Sequence, residues 1–215
     1  MNVDLKVLIV DDHTVVRQGL KHILLEEWAG AAFGEAANVN DMLPLFRKQS
    51  WDVVLLDINM PGRSGFDVLR DLKHEKPDIP ILILSGHPED QYAVRVLRAG
   101  ASGYLPKETA SDELIKAVRK VLEGGRYVSA PLAEQMASGL ARESEKLPHE
   151  TLSDREYQVL CLLASGKTAT EIADQLSLSV KTISTFRSRV LNKMHKKTNA
   201  ELAHYAIQHQ LIESQ

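Results

Sequence analysis

The sequence predicts an α/β fold: a doubly wound five-stranded parallel sheet, followed by a small all-α domain of four helices. Three observations predict it. Short β-branched runs alternate with helical patterns through the first half of the chain. The strongest runs, Val7-Leu8-Ile9-Val10, Val53-Val54-Leu55-Leu56 and Ile81-Leu82-Ile83-Leu84, are apolar throughout, as expected of parallel strands covered on both faces. Beyond Leu152 no strand pattern remains and helix-start signals take over.

Taken in order, weaker strands are expected at Ala31–Ala36 and Ser102–Leu105. Helical patterns fall at Val15–Glu27, Asn40–Gln49, Phe66–Lys73, Glu89–Ala99 and Ser111–Glu123. Five β-α units make a doubly wound sheet, whose ligands sit beyond the carboxyl ends of the strands. After Gly124-Gly125 the pattern breaks. Residues 1–125 are therefore read as the first domain, 126–147 as a linker with one possible helix near Leu132–Leu140, and 148–215 as the second domain. In that second domain Ser153…Glu156, Thr168…Glu171 and Thr198…Glu201 are spaced as capping boxes, and a fourth helix is expected to start at Ser179.

The first domain carries a set of chemically expressive residues at its strand ends. Asp11 and Asp12 follow the first strong strand, Asp57 follows the third, Ser85 ends the fourth, and Lys107 follows the fifth. A parallel sheet brings these positions to one rim. Three carboxylates there repel one another, which a divalent cation relieves, and all-oxygen ligation suits Mg²⁺. A cation, a hydroxyl and a carboxylate nucleophile together suit phosphoryl transfer. Asp57 is the expected nucleophile, because it ends a central strand and opens onto a loop that Gly62 and Gly65 leave roomy. His13 and His87 lie near the same rim, but neither has the paired spacing of a transition-metal site.

The set Asp11-Asp12, Asp57, Ser85 and Lys107 resembles that of response-regulator receivers, whose fold is flavodoxin-like. The resemblance implies that Asp57 is the phosphoacceptor. It implies direct Mg²⁺ contacts from Asp12, Asp57 and the main-chain carbonyl of Asn59, with Asp11 acting through water. Ser85 and Lys107 would hold phosphoryl oxygens, and Tyr104 matches the aromatic that turns inward when the hydroxyl residue moves. Two departures stand out: Glu108 follows Lys107 where many receivers have proline, and Thr14 stands where close relatives often have it.

The second domain has its own chemistry. Ile172, Ala173 and Leu176 give one helix an apolar face, and Ser177-Leu178-Ser179 makes a turn. On the next helix Ile183, Phe186, Val190 and Met194 recur at helical spacing. Lys181, Ser184, Thr185, Ser188 and Asn192 occupy the opposite face, with Thr182, Arg189 and Lys193 on its flank. From Lys181 to Lys197 there are six Lys or Arg and no Asp or Glu, a local basic surface of the kind that meets phosphates. The stretches Leu152–Glu156, Glu171-Ile172-Ala173 and Ser179–Ile183 resemble the LuxR-type helix-turn-helix, and the pairing with a receiver resembles the NarL/FixJ group. The resemblance implies a phosphorylation-dependent transcriptional regulator rather than an enzyme. Its partners would be a sensor histidine kinase and double-stranded promoter DNA, bound as a homodimer. Lys181, Ser184, Thr185 and Ser188 would reach bases, while Thr182, Arg189 and Lys193 would reach phosphates. Leu202, Tyr205 and Ala206 form a stripe that either serves a dimer or packs on its own domain.

Composition bounds the alternatives. The net charge of -3 excludes a wholly basic nucleic-acid coat, and Cys161, the single cysteine, excludes an internal disulfide. No apolar run is long enough to span a bilayer, so a cytoplasmic protein without membrane association is expected. Aspartyl-nucleophile phosphatases of the dehalogenase-like type place Asp-x-Asp after the first strand, whereas Asp11-Asp12-His13 stands here. A constitutive DNA-binding protein with a degenerate receiver would have lost acidic residues that this chain keeps.

Overall fold

The computed structural model describes residues 5–60, 63, 65–86, 89–140, 147–209 and 211–212. Gly62 and His87 lie outside them. The chain divides into two compact units, Met1–Ala141 and Arg142–Gln215.

The first unit alternates β1 (Lys6–Val10), α1 (Thr14–Glu27), β2 (Ala32–Ala36), α2 (Val39–Lys48), β3 (Val53–Asp57), α3 (Gly65–Glu75), β4 (Ile81–Ser85), α4 (Glu89–Arg98), β5 (Gly103–Pro106) and α5 (Ala110–Leu122). All strands are parallel, in the order β2-β1-β3-β4-β5. One face carries Val7, Ile9, Leu55, Leu82 and Leu84, which pack with Leu24 of α1 and Leu114 and Val118 of α5. The alternate residues Leu8, Val10, Val54, Leu56 and Ile83 are equally buried on the other face, toward α2, α3 and α4. Burial on both faces explains why these strands read as unbroken apolar runs.

Strand register, more than any one side chain, places the rim. Val10 pairs with Leu56, so the next residues along the two strands, Asp11 and Asp57, emerge side by side. Asp57 pairs with Leu84, one residue before Ser85, and Ser85 pairs with Pro106, one residue before Lys107. The order of strands reverses between β1 and β3, which is where a doubly wound sheet opens its ligand crevice.

The segment read from sequence as a linker is partly woven into the first unit. Tyr127 forms a parallel bridge with Gly103, its amide donating to Ser102 O at 2.9 Å and its carbonyl accepting from Tyr104 N at 3.0 Å. A side chain on Gly103 would put its Cβ 2.7 Å from that Tyr127 carbonyl. The Tyr127 hydroxyl also donates to Glu113 of α5, and the Ser129 amide donates to Glu89 of α4 at 2.8 Å. Helix α6 (Ala130–Leu140) follows, two residues longer at its start than its sequence pattern, with Leu132 buried. The sequence signal was weak because one bridge on an edge needs no apolar run.

The second unit holds four helices, α7 (Asp154–Ala164), α8 (Ala169–Leu176), α9 (Val180–Lys193) and α10 (Asn199–Gln208). Ser153 and Thr168 close the reciprocal capping boxes read from sequence, and Ser179 and Thr198 cap α9 and α10 by accepting from Thr182 N and Glu201 N. Between α8 and α9 the chain turns at Ser177, whose φ of 52° is left-handed, while Leu178 N returns to Ala173 O at 2.8 Å. Ile172, Ala173 and Leu176 are buried on α8, and Ile183, Val190 and Met194 on α9. Phe186, expected in the same core, is only half-buried. No helix among the described residues is long and apolar enough to cross a membrane.

Candidate functional site

Each acidic side chain at the rim is held by its own neighbourhood. The Asp11 amide donates to Ala36 O of β2 at 3.1 Å, which fixes the exit of β1. Its Oδ1 accepts from the His13 amide at 2.8 Å. The Asp57 carboxylate accepts from the Asn59 amide at 2.8 Å on Oδ1, and from Lys107 Nζ at 2.8 Å on Oδ2. Lys107 Nζ also lies 2.7 Å from Asp11 Oδ2. The Asn59 side chain donates to Ser85 Oγ at 3.2 Å, so the loop after β3 is tied to the end of β4. Gly65 is what allows that loop to fold back: a Cβ there would lie 2.6 Å from the Ile58 backbone.

Burial sets the electrostatics. Asp11 and Asp57 are 0% and 1% exposed, Ser85 and Tyr104 are fully buried, and the Asp12 side chain keeps 30% exposure. Burial raises the Asp57 proton affinity above the ordinary carboxylate value, against the pull of Lys107 and the Asn59 amide. Burial also works against the Lys107 ammonium, but the Asp11 and Asp57 carboxylates outweigh it and hold its pKa above the usual value. One lysine cannot neutralise three carboxylates. Asp11 Oδ2 and Asp12 Oδ1 are buried oxygens without a hydrogen bond, in charge contact only. Ligand atoms of Asp11, Asp12, His13 and Asp57 lie within 4.8 Å of one another. The donor set and its residual negative charge fit a divalent cation.

Asp11, Asp12, Asp57, Asn59, Ser85 and Lys107 come together here as the sequence led one to expect, His87 lies outside the described residues, and the Lys107–Glu108 bond is trans. Sequence reasoning missed Arg17. Its NH1 donates to the Asp11 carbonyl at 2.7 Å, and its Nε to Glu35 Oε2 at 3.2 Å. Glu35 is held below the ordinary carboxylate range chiefly by the hydrogen bond from Lys21, at 2.6 Å. The four-residue spacing of Arg17 and Lys21 opposite a lone acid on β2 was the available signal.

On α9, Lys181, Ser184, Thr185, Ser188, Arg189 and Asn192 are exposed and Thr182 is half-buried. A depression of about 310 Å³ is lined by Ser179, Lys181, Thr182, Thr185, Phe186 and Arg189. The Thr185 and Ser188 hydroxyls donate back to the Lys181 and Ser184 carbonyls, each at 3.0 Å. Val180, 45% exposed at the start of the helix, is a further candidate that an apolar-face reading would not pick out.

On this unit one expectation meets different geometry, and an open alternative is decided. Lys193, placed by sequence on the phosphate-facing flank, has its Nζ 2.5 Å from Glu156 Oε2, a carboxylate of α7 whose side chain is 4% exposed. A buried acid needs a partner, and this lysine supplies it. The stripe of Leu202, Tyr205 and Ala206 is buried within its own unit, and Ile207 is the exposed apolar residue of α10.

Comparison with known proteins agrees with both halves of this geometry. The family description "Response regulator receiver domain" matches residues 7–119, and "Bacterial regulatory proteins, luxR family" matches residues 150–206. The chain is 37% identical over 212 residues to response regulator UvrY of Escherichia coli K12, covering 98% of this chain and 97% of that one. It is 35% identical over 211 residues to response regulator GacA of Pseudomonas aeruginosa, covering 98% and 99%. A structure of RcsB from Salmonella enterica serovar Typhimurium, bound to promoter rprA in the presence of phosphomimetic BeF3-, aligns with TM-score 0.66 and 27% identity over 94% of this chain and 98% of that one. This chain belongs to the response regulators that join a receiver domain to a LuxR-type helix-turn-helix.

The Glu156–Lys193 pair yields a stability prediction. Burial works to raise the Glu156 pKa, but the Lys193 hydrogen bond and the Ser153 cap outweigh it, so the carboxyl is held below the ordinary range. A carboxyl lowered on folding stabilises the fold above its unfolded pKa, and that contribution fades as pH falls through the folded value. Glu156→Gln should therefore loosen α7 and α9 at neutral pH by about 1–3 kcal/mol, and the difference from the parent should shrink below the ordinary carboxylate pKa. Hydrogen exchange of α7 and α9 amides over a pH series measures it.

Proposed function

We propose that this response regulator takes a phosphoryl group on Asp57 from a sensor histidine kinase and, so modified, binds promoter DNA through α9. The observation that carries the reading is the convergence of Asp11, Asp12, Asp57, Ser85 and Lys107 at one sheet edge, with Lys107 bridging Asp11 and Asp57. The family's membership of kinase-fed signalling and a cytoplasmic location go with it.

In this reading Asp57 attacks the phosphorus of a phosphohistidine. The new O–P bond replaces the P–N bond, and the departing electron pair returns to the imidazole. Asp12, Asp57 and the Asn59 carbonyl would hold Mg²⁺, with Asp11 assisting through water. When bound, the ion offsets the negative charge of the entering phosphoryl group. Lys107 moves its contact from Asp57 to a phosphoryl oxygen and balances the charge left in the pocket. Ser85, released from the Asn59 side chain, donates its hydroxyl to another phosphoryl oxygen. Tyr104, already buried on the neighbouring strand, packs behind Ser85 and passes the change to the receiver surface. Phosphorylation then shifts the balance between populations that do and do not engage DNA.

At the DNA, α9 lies in the major groove and a homodimer reads two half-sites. Because the Thr185 and Ser188 hydroxyl protons go to backbone carbonyls, these side chains present acceptor lone pairs outward. They suit the exocyclic amino groups of adenine or cytosine. Lys181 and Ser184 lie beside them, and Val180 offers methyl groups to thymine. Arg189, with Thr182 and Asn192, meets phosphates. Lys193 is assigned first to Glu156, and contributes at most the remainder of its charge.

Two experiments test this. With acetyl phosphate and Mg²⁺, the parent should bind promoter duplex more tightly by fluorescence anisotropy, and Asp57→Asn should show no gain. Excess chelator should abolish the gain in the parent. If Asp57→Asn responds like the parent, the assignment of the acceptor is wrong.

The division of α9 is tested over a salt series on specific and scrambled duplexes. Arg189→Ala should weaken both alike and reduce the slope of log affinity against log salt by about one. Thr185→Ala should change base preference by about 1–3 kcal/mol or less, with the slope unchanged. The reverse pattern would mean that the helix presents a different face.

A further inference from the structure

We propose that His13 is a side-chain donor to the same pocket, so that the site favours first-row divalent transition ions over Mg²⁺ more than its carboxylates alone would. The inference rests on the cation-binding reading of the pocket. His13 occupies the N-cap of α1, a position that Ser, Thr, Asp and Asn ordinarily fill because their side chains bond the first helical amides. Here the imidazole makes no capping hydrogen bond. Its Nδ1 is turned instead toward the acids, 3.2 Å from Asp11 Oδ1 and 2.9 Å from Asp12 Oδ1.

These separations are of hydrogen-bond and ion-pair length, and they are also compatible with donors sharing one ion. Adjacent donors on a six-coordinate ion with bonds of ~2.1 Å lie ~3 Å apart. Asp12 Oδ1, the oxygen nearest Nδ1, is buried and has no hydrogen bond, so this edge of the pocket is close-packed with donors without being internally satisfied. The imidazole is 66% exposed, so it can turn onto an ion without displacing core atoms. The chemistry then separates the ions. Mg²⁺ demands oxygen and keeps its water reluctantly bound. Imidazole adds affinity along the series from Mn²⁺ upward. One nitrogen among three carboxylates therefore leaves Mg²⁺ nearly indifferent and tightens the transition ions.

The test uses Mn²⁺ and the intact chain. Mn²⁺ affinity is read from loss of the free-ion electron paramagnetic resonance signal, Mg²⁺ affinity from displacement of bound Mn²⁺, and the ligand from nitrogen coupling in pulsed spectra. The expected result is nitrogen coupling in the parent that disappears in His13→Ala. Mn²⁺ affinity should fall about tenfold in that variant, and Mg²⁺ affinity should change by less than about twofold. Stoichiometric Mn²⁺ binding without nitrogen coupling overturns the role of His13 and leaves the carboxylate pocket standing. No Mn²⁺ binding, with Asp12→Ala indistinguishable from the parent, overturns both.

Discussion

The Lys107 ammonium sits between two buried carboxylates, 2.7 Å from Asp11 and 2.8 Å from Asp57, and the first unit is organised around that contact. The three residues leave three different strands. Removing one such charge from water costs several kcal/mol, and only a well-placed partner offsets it. The pairing of Val10 with Leu56, and of Ser85 with Pro106, is therefore a condition for the site as well as for the sheet. Because both faces of the central strands are buried and apolar, hydrophobicity alone does not fix their register, and a slip of one residue would separate the acids from Lys107. The same lysine does not finish the task. Three carboxylates facing one ammonium, with Asp12 Oδ1 buried and without a hydrogen bond, leave the pocket short of positive charge, an imbalance that a divalent ion fits.

The second unit repeats the principle on a smaller scale. Glu156 begins as a helix cap, accepting from the Ser153 amide at 2.8 Å, and then accepts from Lys193 at the far end of α9. A capping residue thereby fixes the pose of the helix that would meet DNA. Arg187 adds a second tie, donating to Asn199 Oδ1 of the α10 first turn at 2.7 Å. Of the six basic residues between Lys181 and Lys197, Arg187 and Lys193 thus tie the helix to its neighbours, while Lys181, Arg189 and Lys197 are exposed.

Much of this was legible in the sequence, for identifiable reasons. Unbroken apolar runs marked β1, β3 and β4, because parallel strands are buried on both sides. Ser153 and Thr168 marked helix starts through complete capping boxes, a local pattern, whereas Thr198 caps α10 with Glu201 reaching back to the Lys197 amide instead of the N-cap amide. The rim could be read because strand ends in a parallel sheet are obliged to converge. What could not be read was pairing between elements far apart in the chain. The four-residue spacing of Arg17 and Lys21 does not by itself reveal that Arg17 holds the Asp11 carbonyl, and the pairing of the exposed Lys193 with the buried Glu156 leaves no periodic trace. The Tyr127 bridge to Gly103 is a single edge contact in a segment without an apolar run, and it carries the first unit past the boundary set at residue 125. The Leu202, Tyr205 and Ala206 stripe shows the limit of periodicity, which marks a buried face without saying what buries it.

Asp57, proposed as the phosphoacceptor, and the equally buried Asp11 stand side by side at the rim. Borohydride reduces an acyl phosphate to the alcohol, so a phosphorylated aspartate is converted to homoserine at its own position. Peptide mass mapping after acetyl phosphate, Mg²⁺ and borohydride should find that conversion at Asp57 alone. Conversion at Asp11 or Asp12, or at none of the three under conditions that phosphorylate a related receiver, would rule out Asp57 as the acceptor.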